Sequence, residues 1–215
     1  MGCTVMNIRN CLFTFLFFHL CILTFGQKIN IGALAGINAS QVSGDGYGGF
    51  NKAGILVGAY SNFDISEEFN FQFEINYSEK GSRRNPKTDE GDTEFFLLRM
   101  NYVEVPIMLR YKRERFTYEA GLYYGQLISS YLENENGQFN IPPQTNQLID
   151  FDFGALIGIN FNLTENIIMN WRYSNSILPV REYDSGANFW LDSGLLHHYI
   201  SFSMRYEFIG QKSGT

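Results

Sequence analysis

Residues 69–80 read FNFQFEINYSEK, and apolar and polar side chains alternate along most of this stretch. One face of an extended chain would carry Phe69, Phe71, Phe73, Ile75 and Tyr77. The residues between them would project from the other face, because successive side chains of a strand point in opposite directions. A period of two over this length is typical of a β-strand whose two faces meet different surroundings.

The same alternation recurs along the rest of the chain and predicts about eight strands. Their predicted ranges are 28–39, 53–62, 69–80, 98–111, 116–130, 150–161, 167–176 and 196–208. Each is close to the roughly 9–11 residues that a tilted strand needs to cross a bilayer. The 20 Phe, 13 Tyr and 21 Gly residues also favour strands over helices. We therefore predict an all-β fold, an eight-stranded antiparallel up-and-down transmembrane β-barrel.

The connections between the predicted strands alternate in length. Tight turns are predicted around 64–67, 112–115 and 162–165, and long polar loops at about 40–52, 81–97, 131–149 and 177–195. Barrels of bacterial outer membranes have this asymmetry, with short turns in the periplasm and long loops outside the cell. A β-sandwich has no reason to sort its loops by side, so the pattern favours the barrel.

The volume of the aromatic side chains indicates which face points outward. An eight-stranded barrel is just wide enough inside to be filled by side chains. The aromatic-rich face, which includes Phe151, Trp171 and Tyr206, would overfill such a lumen but would fit against lipid. A soluble lipocalin-like barrel, the main alternative, would need that face inside.

Paired glycines mark the opposite face, which we predict points inward. Four strands carry a Gly-x-bulky-x-Gly element, at Gly32 and Gly36, Gly54 and Gly58, Gly121 and Gly125, and Gly154 and Gly158. All eight glycines share the non-aromatic parity. A glycine at such a position leaves room for long side chains that arrive from across the lumen. The barrel is therefore predicted to be narrow and internally filled.

The inward face also carries charged residues, which we predict form a structural cluster in the interior. They are Glu74, Glu104, Arg110, Glu119, Asp152, Arg172, Arg205 and Glu207. Charges in a narrow barrel must be paired or hydrated, because burying an unpaired charge is costly. A salt-bridge network is the predicted arrangement, and a proton or ion path is the functional alternative.

Pro106 interrupts the fourth predicted strand and cannot donate a backbone hydrogen bond. The other predicted strands contain no proline. Because a closed barrel has no edge at which proline is tolerated, we expect a bulge or kink at this position.

The first 26 residues resemble a removable export signal rather than part of the barrel. Arg9 is their one charged residue, and the apolar run CLFTFLFFHLCILTF precedes Gly26 and the polar Gln27. A short basic start, an apolar stretch and a small residue before the cleavage point are typical of a secretory signal peptide. A membrane anchor is the alternative, but the run is shorter than the roughly 20 residues that span a bilayer. We predict a signal peptide at 1–26 and the barrel at 27–215.

Removal of this segment limits the chemistry left to the mature chain. Cys3, Cys11 and Cys21 would all be lost, which excludes disulfides and thiolate sites from the barrel. The net charge would change from −6 to −7 because Arg9 is lost too. Such a chain has no electrostatic reason to bind nucleic acid. The glycine-rich run at 44–49 lies in a predicted loop and does not open a helix, so no cofactor is predicted.

His197 and His198 are the remaining histidines, and they begin the last predicted strand near Asp192, Ser193 and Ser201. A lipid-modifying hydrolase would need a nucleophile, a base and an orienting acid close together. Adjacent residues of a strand point to opposite faces, so at most one of the two histidines could serve. A metal site that uses both is disfavoured for the same reason. We predict no catalytic or metal-binding residues.

The most characteristic short elements are 32–38, 76–81 and 121–125, together with the run Tyr102-Val103-Glu104-Val105-Pro106 that is followed by Arg110 and Tyr111. With these elements, which span most of 27–208, the chain resembles the PorT-like, porin-family outer-membrane barrels typical of Bacteroidota. The resemblance implies an eight-stranded barrel with outward apolar bands. The family's namesake serves the type IX secretion apparatus, but the resemblance maps no functional residue onto this chain. The seven residues after Phe208 also depart from the usual aromatic ending.

We therefore predict a non-enzymatic integral outer-membrane barrel that acts as an anchor or partner-binding protein through its long extracellular loops. Outer-membrane lipid would surround it, and other envelope or secretion proteins are the partners that its loops would meet. A narrow porin or a transport or secretion component is one alternative. An outer-membrane lipid-modifying hydrolase is the other.

Overall fold

A computed structural model of the protein describes residues 29–44, 48–86, 89, 91–134, 137–141, 148–181 and 195–208. The segment 1–26, for which we predict a signal peptide, lies outside these residues. Within the described ranges, no helix is both long enough and apolar enough to cross a bilayer.

The described residues form nine strands. They are β1 (Ile29–Ser43), β2 (Lys52–Asp64), β3 (Phe69–Arg84), β4 (Phe96–Arg113), β5 (Phe116–Asn134), β6 (Gly137–Ile141), β7 (Phe151–Asn162), β8 (Ile167–Ser176) and β9 (Leu196–Phe208). All eight predicted strands are present. The short β6 is an addition, and it lies in the predicted long loop after β5.

Eight of the strands close into an antiparallel barrel, which confirms the predicted fold class. Strands β1 to β5 pair with one another in sequence order, and β5 also pairs with β7. Strands β7, β8 and β9 then continue the ring back to β1. In the described part of the chain, β6 pairs with the far end of β5 alone and lies outside the ring. Closure matters because lipid offers no hydrogen-bond partner to an unpaired strand edge.

Side-chain burial alternates along the barrel strands and confirms which face is inside. On β3, Asn70, Gln72 and Glu74 are buried, whereas Phe69 and Phe73 are exposed. The exposed positions of the other strands are likewise mostly apolar. An apolar outer surface suits lipid, and a polar lining suits the interior of a narrow membrane barrel.

Aromatic ring pairs line one end of the barrel. Ring centroids lie 5.4 Å apart in Phe63–Phe71, 5.2 Å in Phe69–Tyr111 and 5.2 Å in Phe116–Phe161. Each pair joins neighbouring strands next to a tight turn. Aromatic girdles of this kind lie where the lipid meets water.

The predicted tight turns all lie at that same end, which we call the turn end; the opposite end is the loop end. The turns occupy 65–68, 114–115 and 163–166. Two of them are closed by a hydroxyl. Ser66 Oγ accepts a hydrogen bond from the backbone N–H of Phe69 at 3.1 Å, and Thr164 Oγ1 accepts one from Ile167 at 3.0 Å.

Two of the predicted long loops are shorter than expected, because strands β3, β4 and β5 continue into them. The pairing of β3 with β4 runs on to Arg84 opposite Phe96. The pairing of β4 with β5 likewise reaches Asn134. The alternation that signals a strand requires one apolar face. The extension carries polar and charged residues such as Ser82, Arg83 and Arg84 in succession, so its sequence resembles that of a loop.

Pro106 lies in β4, but no register shift occurs there. Its flanking residues keep one register with β3, and the pairing lapses only opposite Glu74 and Ile75. The register shift of β4 lies between Asn101 and Tyr102, against β5. The expectation of a bulge at Pro106 was therefore wrong, and a kink there stays a prediction. The missing N–H donor is accommodated by a local gap in the ladder rather than by an extra residue.

Candidate functional site in the barrel interior

The charged residues that the sequence assigns to the inward face lie inside the barrel. Glu74, Glu104, Arg110, Glu119, Asp152, Arg172 and Arg205 are each at most 6% exposed. Glu207 is partly buried and lies at the turn end. The structure does not bring all eight together. Four form one cluster, two join a lysine that the prediction omitted, and two lie apart.

Glu74, Glu119, Arg172 and Arg205 meet across the lumen, and we call them the ion cluster. Arg172 donates Nη1 and Nη2 to the two oxygens of Glu74 at 2.9 Å each, and Nε to Glu119 Oε1 at 2.8 Å. Arg205 bridges the same two carboxylates at 3.1 and 3.4 Å. Strands β3 and β8 lie on opposite sides of the ring, so the Glu74–Arg172 pair crosses the whole lumen. The two positive and two negative formal charges balance.

Amide side chains complete the hydrogen bonding of the two carboxylates. Glu74 accepts from Gln72 and Asn76, and Glu119 accepts from Asn160 and Asn170, at 2.6–3.0 Å. Each of these amide residues lies on the inward face of its own strand. Buried ion pairs offset their desolvation cost only when the remaining lone pairs are also satisfied. The ion cluster therefore has the geometry of a rigid cross-brace.

Lys80, Glu104 and Asp152 form a second group, which we call the lysine cluster. Lys80 is fully buried, its Nζ lies 2.7 Å from Asp152 Oδ2, and it also forms an ion pair with Glu104. Three aromatic rings surround the ammonium group, with centroids 4.4–4.8 Å from Nζ. They belong to Tyr102, Tyr123 and Tyr199. Ring faces stabilise a desolvated cation through their quadrupoles.

Hydroxyl groups supply the remaining donors of the lysine cluster. Asp152 accepts from Tyr123 at 3.2 Å and from Ser176 at 2.7 Å, and Glu104 accepts from Tyr199 at 3.3 Å. These bonds matter because one lysine faces two carboxylates. The predicted set of five acids and three bases omitted Lys80. Its parity, which it shares with Glu74 on the same strand, was the available signal.

An apolar plug fills the lumen between the lysine cluster and the loop end. It consists of Val42, Leu98, Met100, Tyr102, Leu127, Val180 and Leu195. Val180 belongs to the connection between β8 and β9 and is fully buried. Its N–H donates to the Leu195 carbonyl at 2.8 Å, and its carbonyl accepts from Ile149 at 2.8 Å. Part of this predicted surface loop therefore folds into the barrel mouth.

At the turn end the lumen widens into a cavity of about 480 Å³, which we call the vestibule. Arg110 and Glu207 line it and do not join the ion cluster. Arg110 donates Nη1 to the side-chain oxygen of Gln72. Glu207 Oε2 accepts from the Asn62 amide at 3.0 Å. The interior is thus closed toward the loop end and open toward the turn end.

The paired glycines face inward, but the atoms that crowd them differ from the expectation. A Cβ added at Gly32, Gly125, Gly154 or Gly158 would crowd Tyr60, Glu104, Tyr123 or Glu119 respectively. At Gly36, Gly54, Gly58 and Gly121 it would come within 2.0–2.2 Å of an oxygen atom. All these neighbours belong to the adjacent strand, not to one across the lumen. A narrow barrel curves its sheet sharply, so inward atoms of adjacent strands converge.

The two histidines point to opposite faces, as the alternation predicts. His197 is fully buried beneath the plug, with Nε2 3.4 Å from the Tyr102 hydroxyl. His198 is half-buried on the outer face. Ser201 donates to an asparagine, and among the described residues no serine hydroxyl bonds to either imidazole ring. Asp192 and Ser193, the other members of the hydrolase grouping, lie outside the described residues.

The family model described as "Outer membrane protein beta-barrel domain" matches residues 25–181 of the chain. No curated protein matches the chain.

Two solved structures of small outer-membrane proteins are among those similar to this chain. One is Ail, the attachment invasion locus protein of Yersinia pestis, at 12% identity; the match covers 83% of this chain and 98% of Ail, with a TM-score of 0.49. The other is Neisserial surface protein A, also at 12% identity, with 84% and 97% covered and a TM-score of 0.49.

Proposed function

The chain belongs to the outer membrane protein β-barrel domain family, and from that premise we propose that it is a closed, non-enzymatic barrel that anchors a partner-binding surface outside the cell. The filled interior carries this proposal. In the proposed orientation the turn end faces the periplasm and the loop end faces outward, as in other up-and-down barrels. The proposed signal peptide at 1–26 would direct its export.

Three successive features of the lumen oppose the passage of solutes. The ion cluster crosses the barrel, the lysine cluster lies beyond it, and the apolar plug fills the mouth. To open a path, Arg172 and Arg205 would have to leave two buried carboxylates at once. Separating a buried charge from its partner is strongly unfavourable. We therefore expect the protein to contact its partners at the ends of the barrel rather than in its lumen.

The barrel wall continues beyond the membrane at the loop end. Strands β3, β4 and β5 contain 16, 18 and 19 residues, whereas about 9–11 suffice to cross a bilayer. We call the extension the loop-end arm, and define it as residues 81–84, 96–99, 130–134 and β6. Arg84 forms ion pairs with Asp92 and Glu94 at 2.7 Å each. These pairs hold the β3–β4 connection against the loop-end arm.

The loop-end arm offers a surface suited to another protein. Strand β6 runs along the outer side of the arm. One edge of β6 pairs with β5, and the other edge has no partner strand among the described residues. An unpaired strand edge presents N–H and C=O groups that an extended segment of a partner can bind. We propose that the partner is an envelope or secretion protein.

A planar-bilayer recording of the refolded mature chain, residues 27–215, tests the closed barrel. Heat-modifiable migration on a gel first establishes that the sample is folded. We expect no steady open-channel current, because the ion cluster and the plug block the lumen. A reproducible steady current from the folded protein would overturn the closed barrel and favour the narrow porin.

Single cysteines test the orientation and the loop-end arm, since the proposed mature chain has no cysteine. Asn85→Cys lies just beyond β3 at the loop end, and Glu67→Cys lies in a tight turn; both positions are exposed. On intact cells, a membrane-impermeant thiol crosslinker should label Asn85→Cys and join it to a partner protein, and Glu67→Cys should stay unlabelled. The reverse labelling would contradict the orientation. Labelling of Asn85→Cys without a protein adduct would contradict partner binding.

The hydrolase alternative has a separate test. Mass spectra of lipid A before and after expression should be identical if the protein is non-enzymatic. A changed spectrum that reverts with His197→Ala or His198→Ala would overturn the proposal.

A further inference from the structure

The vestibule contains a buried guanidinium that no described carboxylate neutralises. Arg110 lies in its wall and is 4% exposed. Its Nη1 donates to Gln72, but its Nε has no hydrogen-bond partner among the described residues. A buried donor without an acceptor, on a charged group, carries a large desolvation cost.

Two of the acidic groups around the vestibule are engaged with other residues. Asp64 Oδ1 lies 2.8 Å from Lys112 Nζ, and Glu207 bonds to Asn62. The two rim residues Arg115 and Glu165 are exposed on the tight turns. The ion cluster beyond the vestibule is already balanced in formal charge. The lining of the vestibule has three basic and three acidic residues, and Arg110 is the buried cation among them, with no ion pair to a described carboxylate.

An unpaired acceptor lies beside this buried guanidinium. Asn70 is directly opposite Arg110 in the β3–β4 pairing, is 4% exposed and also lines the vestibule. Its Oδ1 has no hydrogen-bond partner among the described residues. A ligand that satisfies both groups must offer an anionic oxygen to the guanidinium and a hydroxyl donor to the amide oxygen. A protonated phosphate carries an anionic oxygen and a hydroxyl group on the same phosphorus atom.

We propose that the vestibule binds a small protonated oxyanion, hydrogen phosphate or the singly protonated form of a phosphate monoester, from the solution at the turn end. Arg110 holds its oxygens through the fork of the guanidinium, which matches phosphate geometry. Asn70 accepts the hydroxyl hydrogen of the same group. The cavity of about 480 Å³ accommodates the anion together with water. This site depends on the barrel fold alone and not on any partner at the loop end.

The test is a titration of the full mature chain, folded in detergent micelles, with inorganic phosphate at constant ionic strength. The Arg110 Nε–Hε resonance, observed by NMR with ¹⁵N-labelled protein, reports on the site itself. We expect a saturable shift of this resonance. Acetate, which has no hydroxyl donor at neutral pH for Asn70, should bind more weakly than phosphate.

Three variants locate the site, and calorimetry measures their affinity for phosphate. Arg110→Gln should weaken binding at least about tenfold, because it removes the charge-assisted hydrogen bonds. Arg110→Lys keeps the charge but loses the planar fork of donors. Its affinity for phosphate should lie between those of Arg110→Gln and the native protein. Arg113→Gln is the matched control. It removes the same charge three residues away, at an exposed position outside the vestibule, and should bind phosphate unchanged.

Two results would overturn the proposal. One is the absence of a saturable Arg110 shift in the native protein, which would mean that water alone satisfies the guanidinium. The other is equal phosphate affinity in the native protein and in folded Arg110→Gln, which would assign the anion to another surface. If Arg110→Gln does not fold, the native resonance and the Arg110→Lys affinity decide the matter.

Discussion

The ion cluster and the lysine cluster both bury charge in a narrow lumen, but they stabilise that charge in different ways. The ion cluster alternates two guanidinium groups with two carboxylates and adds amides around them. The lysine cluster places one ammonium against two carboxylates. Hydroxyl donors stabilise the two carboxylates, and tyrosine ring faces stabilise the ammonium group between them.

The difference follows from the shapes of the two cations. A guanidinium is a planar fork that bonds two carboxylates at once, so it can bridge strands on opposite sides of the ring. An ammonium is a compact point charge with three donors, and its long apolar stem needs packing. The lysine cluster therefore relies on aromatic packing, whereas the ion cluster relies on paired charges. The two should respond differently when one member is removed.

The largest effect is expected when the ion cluster loses a carboxylate. Glu74→Ala leaves Arg172 and Arg205 each without one of their two acids, and should lower the free energy of unfolding by about 5 kcal/mol, the upper range for a broken buried pair. Urea unfolding in lipid vesicles, followed by tryptophan fluorescence, measures it. Glu68→Ala, at an exposed turn position, is the control and should be near neutral. A loss below about 1 kcal/mol, the range of exposed pairs, would show that the ion cluster is not a brace.

Removal of the lysine should cost less than removal of Glu74. Lys80→Met keeps the packing of the stem, and the hydroxyl donors still serve both carboxylates, so we expect a loss of about 3 kcal/mol, the lower range for a broken buried pair. The same urea unfolding measures it. Lys80→Arg keeps the charge and should lose less than Lys80→Met. If Lys80→Met proved more costly than Glu74→Ala, the contrast between the clusters would be reversed.

A methyl group added beside each cluster tests how tightly that part of the interior is packed. At Gly154 it would lie 2.3 Å from a backbone oxygen and 2.5 Å from the Tyr123 ring, so Gly154→Ala should destabilise by about 1–3 kcal/mol through overpacking. At Gly158 the neighbours are a backbone oxygen and the Glu119 carboxylate, both at 2.7 Å. Because these contacts are longer than those at Gly154, Gly158→Ala should cost less. Thermal unfolding of both is compared with Gly48→Ala, where nothing lies within 4 Å. Equal losses at 154 and 158 would argue against rigid aromatic packing.

The smallest effect is expected from loss of one hydroxyl in the lysine cluster. Tyr199→Phe keeps the ring over Lys80 and removes the 3.3 Å bond to Glu104. A loss of about 0.5–1.5 kcal/mol is expected for such a hydrogen bond, measured by urea unfolding in parallel with the exposed Tyr118→Phe. A loss as large as that of Lys80→Met would mean that the hydroxyls, and not the ammonium, hold the two carboxylates.

The strands and their inward faces could be predicted because parity is a local property. Residues 69–78 alternate so regularly that β3 and its two faces followed directly, and the volume of the rings decided which face was outside. The ends of the strands could not be predicted as well. Residues 81–84 and 96–97 lie beyond the regular alternation that marks the barrel strands, and β6 lay inside a predicted loop.

Parity also placed the charged residues inside, but it could not say which of them meet. Glu74 and Arg172 come from strands that are far apart in sequence and lie on opposite sides of the ring, and only the closed ring sets that distance. Lys80 could have been found by extending the alternation of its own strand. The burial of Val180 could not, because it depends on a connection that folds back into the mouth. The signal peptide, the orientation and the PorT-like resemblance stay predictions.

The alternating sequence by itself determined that this chain forms an all-β barrel with aromatic residues toward lipid and charged residues inside. It did so because side-chain direction in a strand depends on position alone. The tertiary structure decided how the interior is divided into a balanced ion cluster, a tyrosine-lined lysine cluster, an apolar plug and an open vestibule with one buried arginine outside both clusters. That division depends on stagger and curvature around the closed ring, which bring together residues that no local pattern relates.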